Sequence, residues 1–85
     1  MVYRIEYKPS AARDFRKLSK EMQMRIAPKI NGLGHNPRPH GVETLQGSER
    51  LLRIRVGDYR IVYQVKDKIV TILILRIAHR REVYR

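Results

Sequence analysis

The sequence contains no cysteine, which excludes a disulfide framework and any metal site built on thiolates. It also lacks a long apolar run, since the stretch from Ile69 to Leu75 is far too short to cross a bilayer. The first ten residues, MVYRIEYKPS, have none of the apolar core of a signal peptide. These absences predict a cytosolic protein that does not associate with a membrane.

The length of the chain limits its hydrophobic core. Eighty-five residues suffice for one domain, spanning 1–85, and not for two. A domain of this size buries only about 60–65% of the surface that its unfolded chain exposes, so we expect modest stability. Because disulfides are excluded, a partner protein that covers apolar surface is one source of additional stability.

Acidic residues are scarce. Eight Asp and Glu stand against 19 Lys and Arg, which gives a formal net charge of +11 and an isoelectric point of about 10.7. In residues 50–85 the cations are mainly arginine, whose planar fork binds phosphate bidentately. A merely solubilising surface would mix the two signs more evenly, so the composition favours a polyanionic partner such as nucleic acid.

The first half of the chain predicts a strand followed by two helices. Residues Val2–Tyr7 alternate as a half-buried strand does, and Pro9 ends the pattern. Ser10 is a suitable N-cap for a short helix. A second amphipathic helix is predicted by the spacing of Met22, Ile26, Ile30 and Leu33. Pro28 interrupts this helix and predicts a kink or a break.

The second half predicts three strands. Leu52–Val56 and Tyr59–Val65 alternate between apolar and polar residues, and the turn signal Gly57-Asp58 joins them as a hairpin. Ile69–Ile77 is apolar at most positions, as in a central strand. The order β-α-α-β-β-β predicts an α+β fold, with two N-terminal helices packed on one face of a mostly antiparallel sheet.

Alternation places several arginines together. If Val56 and Tyr59 pair across the turn, Arg55 and Arg60 form the next pair and share the opposite face of the sheet. Arg53 lies two residues further along the same face. Like charges directly opposite each other are destabilising, so this arrangement favours an anion between them.

The chain ends with the basic segment His79-Arg80-Arg81-Glu82-Val83-Tyr84-Arg85. Histidine transfers protons near neutral pH, arginine binds phosphate, and an aromatic ring stacks on a base. The same composition is also typical of a basic tail without a specific role.

These features together resemble the RelE/ParE toxin superfamily. The resemblance is carried by the segment Leu52–Tyr63, LRIRVGDYRIVY, and by HRREVY at residues 79–84. Leu45-Gln46-Gly47 is similar to the Leu-x-Gly that precedes this hairpin, and the order of elements matches. The resemblance runs from about Tyr3 to Arg85, and its R-x-R-x-G-x-Y-R hairpin is more specific for the superfamily than for one branch.

The resemblance implies the toxin of a type II toxin–antitoxin pair. RelE-like members cleave messenger RNA in the ribosomal A site without a metal, so no cofactor and no metal ligands are expected. The arginine that closes the hairpin motif falls on Arg60, and a basic residue of the preceding strand falls on Arg53, where RelE proteins often have lysine. Arg55 matches a neighbouring basic position. Leu51 stands where some members have a second lysine, so the general base has no assignment.

Further site residues follow from the C-terminal segment. The family's aromatic residue falls on Tyr84, and the arginine before it best fits Arg80, with Arg81 as the alternative. His79 has suitable chemistry for proton transfer, although alternation from Ile77 leaves an inward orientation open. We therefore expect Arg81 and His79, together with Arg55, to contact the substrate.

The chemistry requires no external nucleophile. The 2′-OH of RNA attacks the adjacent phosphate, so an enzyme must deprotonate that hydroxyl, stabilise the phosphorane and protonate the leaving oxygen. Arginine stabilises charge but is a poor base. The hypothesis is that Arg53, Arg60 and Arg80 hold the scissile phosphate. Tyr84 then stacks on a base, positions it or passes a proton.

Two other functions fit the same sequence. One is a ParE-like toxin that inhibits DNA gyrase by protein binding, and the other is a non-catalytic RNA-binding module with a basic sheet face. Whether the toxin is RelE-like or ParE-like, we expect a cognate acidic antitoxin that wraps the surface and forms a hetero-oligomer with the chain.

Overall fold

The computed structural model describes residues 2–45, 51–79 and 81. Its elements, in chain order, are β1 Arg4–Tyr7, α1 Pro9–Lys17, α2 Lys20–Leu33, β2 Glu43–Thr44, β3 Leu51–Val56, β4 Tyr59–Lys66, a 3-10 turn at Asp67–Ile69, and β5 Thr71–His79. The sheet order is β1-β5-β4-β3-β2, with β1 parallel to β5 and every other neighbour antiparallel. The predicted α+β fold is thus confirmed. Strand β2 was not predicted, because two residues are too few to show alternation.

Helix α1 begins two residues earlier than the sequence suggested. Pro9 occupies the first turn and Lys8 is the N-cap, so the prediction of Ser10 as N-cap was wrong. Proline suits that position because its missing N–H has no partner within the helix. The Ser10 hydroxyl instead donates to the carbonyl of Leu75 at 3.0 Å and ties α1 to the sheet.

Helix α2 runs unbroken through Pro28, so of the predicted kink or break, the break does not occur. Its start is capped by Ser19, whose hydroxyl accepts from the N–H of Met22 at 3.2 Å. Pro28 and Met24 are both exposed, and water can therefore satisfy the carbonyl of Met24 that loses its helical donor. The predicted inner face is confirmed, since Ile26, Ile30 and Leu33 are buried.

The core lies between the two helices and one face of the sheet. Its buried members are Ala11, Leu18, Ile26, Ile30, Leu33, Leu52, Ile54, Val56, Ile61, Tyr63, Ile72, Ile74 and Ile77. Beyond Ile74, strand β5 has no pairing with β1, and α1 lies along this part of the strand. There Asp14 accepts from the N–H of Ile77 at 2.9 Å and from Arg76 Nε at 2.8 Å. A helix side chain thus completes the hydrogen bonding of the strand edge.

The β3–β4 hairpin sets the register of the sheet. Val56 pairs with Tyr59 and Arg55 with Arg60, as alternation predicted. Gly57 has a φ of 59°, a backbone region that favours glycine, and the φ of Asp58 is not positive. This combination is typical of a type II′ turn, whose twist matches that of the flanking strands.

Two neighbouring glycines should respond to alanine in opposite ways. A Cβ on Gly32 would meet nothing within 4 Å, so Gly32→Ala should raise the free energy of unfolding by about 0.5–1 kcal/mol through helix propensity. A Cβ on Gly34 would lie 2.9 Å from the carbonyl oxygen of Tyr3 and 3.2 Å from that of Asn31. Gly34→Ala should therefore destabilise by about 1–3 kcal/mol. Urea unfolding measures both, and shifts of the same sign would contradict this account.

Candidate functional site

The helix-free face of the hairpin carries three arginines. Leu52, Ile54 and Val56 point to the core, so Arg53 and Arg55 project from the other face of β3. Arg60 shares this face because it pairs with Arg55. We call Arg53, Arg55 and Arg60 the arginine face, and the structure brings these three predicted residues together.

The three arginines lie at different depths. Arg60 is only 4% exposed as a residue, whereas the side chains of Arg53 and Arg55 are 19% and 59% exposed. Strand β4 lies between β3 and β5, which places Ala78 on one side of Arg60 and Arg55 on the other. The face thus combines one guanidinium fixed within the sheet surface with another that projects into solvent. A buried guanidinium loses little further rotamer entropy when it binds an anion.

A carboxylate from β2 completes this face. Glu43 pairs with Arg53 in the β2–β3 register, and its Oε1 lies 3.2 Å from Arg53 Nη2 and 3.8 Å from Arg55 Nε. Arg53 Nε is buried and has no hydrogen-bond partner in the described part of the chain. The pocket between these arginines therefore holds one carboxylate and retains donor capacity for a further acceptor.

Sequence reasoning did not single out Glu43. The residue had no acidic neighbour to suggest an acid pair, and a two-residue strand gives no alternation from which to predict its register. Only the path of the chain through β2 shows that Glu43 lies against the arginine face.

His79 lies on the other side of the sheet. It pairs with Tyr59 across β4 and β5, and the two rings make an edge-to-face contact with centroids 5.2 Å apart. Its Nδ1 accepts from the backbone N–H of Arg81 at 3.3 Å. His79 is half-buried and Arg81 is exposed. The structure therefore does not bring His79 to the arginine face. Arg80 and Tyr84 lie outside the described residues, as do Gln46 and Gly47.

A hydrogen-bonded network fixes the loop that leads from α2 to β2. The Tyr3 hydroxyl donates to Asp67 Oδ1 at 2.6 Å, and Arg38 Nη2 lies 3.1 Å from Asp67 Oδ2. Tyr63 donates to the carbonyl of Pro37 at 2.7 Å. The hydrogen bonds from Tyr3 and Arg38 lower the pKa of Asp67, and the bond to Asp67 raises the pKa of Tyr3. Burial raises the pKa of Tyr63 to about 12.

In residues 2–45, 51–79 and 81, no three His, Asp or Glu side chains come together in a way that could hold a metal ion. The helices within these same ranges include none with the length and apolar character needed to cross a membrane.

Comparison with known proteins identifies the family. Residues 5–84 match the model of the ParE toxin of type II toxin–antitoxin systems, parDE. The chain belongs to this family, and its relatives place it in the RelE-like branch of the RelE/ParE superfamily. It is thus the toxin component of a type II toxin–antitoxin system.

Relatives in sequence and in structure span nearly the whole chain. Toxin RelE of Mycobacterium tuberculosis is 32% identical over 98% of this chain and 87% of its own length. Toxin RelG of the same organism is 29% identical over 100% of this chain and 99% of its own. The archaeal RelE–RelB complex from Pyrococcus horikoshii OT3 contains a chain with a TM-score of 0.82 and 30% identity. That match covers 94% of this chain and 97% of the other.

The Asp67 network predicts a pH dependence of stability. Because the folded protein lowers the pKa of Asp67, its contribution is present above the unfolded value of 3.8 and is lost as pH falls through the folded one. Asp67→Asn and Tyr3→Phe should both lower the melting temperature near pH 6, and both differences from the wild type should shrink as pH falls below 3.8. Tyr59→Phe, which removes a hydroxyl outside this network, is the control. Thermal melts between pH 3 and 6 check this, and a constant difference across that range would contradict it.

Proposed function

We propose that this toxin is a metal-independent endoribonuclease that cleaves messenger RNA on the ribosome, in the cytoplasm, through attack by the 2′-OH of the substrate. The observation that carries the proposal is the arginine face, where guanidinium groups from two adjacent strands share one surface. The net charge of +11 supports a polyanionic substrate, and the relatives named RelE support this branch of the superfamily.

The arginine face suits a phosphodiester whose negative charge grows during reaction. Arg60 is only 4% exposed, and this burial supports a restrained guanidinium of the kind that transition-state stabilisation requires. Arg53 and Arg55 lie beside it and contact a carboxylate already, which supports their ability to hold an oxyanion. In this proposal the phosphate of RNA displaces Glu43 from some of its contacts with Arg53 and Arg55 when it binds.

The C-terminal segment supplies the remaining groups of the proposed mechanism. By resemblance, Arg80 joins Arg53 and Arg60 at the scissile phosphate, while Tyr84 stacks on a base or passes a proton. Arg81 is the alternative to Arg80 and is exposed. Contact between His79 and the substrate stays a prediction, and the ring's position beside Tyr59 favours a role in holding the backbone of Arg81.

Substitution of the proposed catalytic residues tests this mechanism. Arg60→Ala and Tyr84→Ala should each reduce cleavage of ribosome-bound message by about 10²–10³-fold, because each removes a group that acts in the transition state. Toe-printing locates the cuts, and product analysis should find a 2′,3′-cyclic phosphate end. Arg60 is buried, so Arg60→Lys provides a second variant that keeps the charge but loses the planar fork.

Arg16→Ala on the exposed side of α1 is the matched control for the loss of one positive charge, and circular dichroism verifies the fold of every variant. Full activity in both Arg60→Ala and Tyr84→Ala would remove the site assignments. If the wild-type toxin instead blocks gyrase supercoiling and leaves translation intact, the gyrase inhibitor replaces the endoribonuclease. RNA binding without any cleavage would identify a non-catalytic binding module.

We also propose that an acidic antitoxin binds this chain as a hetero-oligomer. The archaeal relative was solved as a RelE–RelB complex, which supports a partner of this class. The chain offers excess positive charge and several exposed apolar side chains, among them Val2, Met24 and Ile69. The affinity, measured by calorimetry, should fall by at least tenfold between low and physiological salt if charge dominates the contact. Affinity that does not change with salt would contradict that account.

A further inference from the structure

A cleft of about 660 Å³ opens beside the arginine face. It lies between the C-terminal end of α2, the loop at residues 34–42 and strand β3. The cleft exists because β2 pairs with β3 only at Leu52 and Arg53, and no described strand covers the edge of β3 at Ile54–Val56. Its volume falls within the range of about 300–1,000 Å³ that is usual for small-ligand sites, so it has room for much more than a single ion.

The walls of the cleft combine an apolar surface with polar side chains. Leu33 and Ile54, which are only 1% and 8% exposed, close the floor of the cleft, and the half-buried ring of Pro39 supplies the accessible apolar surface. Lys29, Asn36 and His40 line the polar side. An apolar surface suits the flat face of a nucleobase, while amide and imidazole groups suit its hydrogen-bonding edge.

The charge of the cleft favours an anion. Lys29 and Arg55 are its cations, and Glu43 is the one acidic residue among its lining residues. The Glu43 carboxylate is already paired with Arg53 and Arg55, so Lys29 is left to attract a negatively charged group. Arg55 and Glu43 also belong to the candidate site, and the cleft is therefore continuous with the arginine face.

Contacts made by groups outside the cleft hold its loop wall in place. Tyr63 holds the carbonyl of Pro37, and Arg38 is paired with Asp67, so the loop is anchored by groups that do not line the cleft. On the opposite wall, a Cβ at Gly32 would meet only open space. A preformed cavity of this kind binds a ligand without the loss of conformational entropy that ordering its walls would require.

We infer that this cleft is a nucleotide subsite that binds the residue of RNA next to the scissile phosphate. The base packs against the ring of Pro39, above the buried Leu33 and Ile54, with its edge toward Asn36 and His40, and its phosphate lies between Lys29 and Arg55. This inference rests on the proposed function for its substrate, and it adds a position at which the enzyme distinguishes one base from another.

Filling the cleft tests the inference. Gly32→Trp should place an indole in the space that the base would take, and Met24→Trp adds the same bulk at an exposed position of α2 outside the cleft. Loss of one base-stacking contact should lower kcat/KM for ribosome-bound message by about tenfold in Gly32→Trp. The base preference at one position flanking the cut should also flatten. Met24→Trp should retain both the rate and the preference of the wild type.

A charge variant provides a second, milder test. Lys29→Gln should weaken binding of a fluorescein-labelled oligoribonucleotide several-fold at low salt and reduce the salt slope by about 0.7, as expected for one phosphate contact to a single strand. Lys20→Gln, at the other end of α2, removes the same charge and is the control. This measurement needs no cleavage and remains informative if the tryptophan variant does not fold.

The outcomes separate the inference from the proposed function. Absence of cleavage by the wild type, with weaker oligonucleotide binding in Lys29→Gln but not in Lys20→Gln, would overturn the endoribonuclease and keep the cleft as an RNA-binding site. Wild-type cleavage with unchanged rate, preference and binding in the cleft variants would overturn the subsite alone. Loss of antitoxin binding in Gly32→Trp, with RNA cleavage retained, would assign the cleft to the antitoxin and likewise overturn the inference.

Discussion

The register of the β3–β4 hairpin is the constraint on which the rest of the structure depends. Pairing of Val56 with Tyr59 sends Leu52, Ile54 and Ile61 to the helices and the arginines to the opposite face. A shift by one residue would bury the guanidinium groups in the core and expose the aliphatic side chains, so the hydrophobic effect itself enforces the register. The geometry of the candidate site is therefore a consequence of how the core packs.

This arrangement concentrates positive charge that the fold must tolerate. Arg55 and Arg60 lie directly opposite each other, and such a like-charge pair is destabilising. Glu43 relieves part of the repulsion by contacting Arg53 and Arg55, and the different depths of Arg55 and Arg60 reduce it further. The carboxylate of Glu43 shows the kind of ligand that fits on this face. The same arginines thus lower the stability of the fold and favour the binding of an anion.

Much of this could be predicted from the sequence, because alternation and helical spacing report which face of an element is buried. Those periodicities identified Ile26, Ile30 and the arginine pair. They do not encode the contacts made by short or irregular segments. Strand β2, and with it the position of Glu43, depends on the path of a loop that contains two prolines and two glycines. The burial of Arg60 likewise depends on neighbours from β5, far away in the chain.

The irregular loop between α2 and β2 fixes the position of the cleft relative to the arginine face. Tyr63, in the core, donates to the carbonyl of Pro37, and Asp67, in the turn between β4 and β5, is paired with Arg38. The same loop forms one wall of the cleft and ends in Glu43, which contacts the arginine face. Because one segment shapes both, a change in its anchoring moves the cleft and the carboxylate together. The loop is therefore the element through which the packed core positions the functional surface.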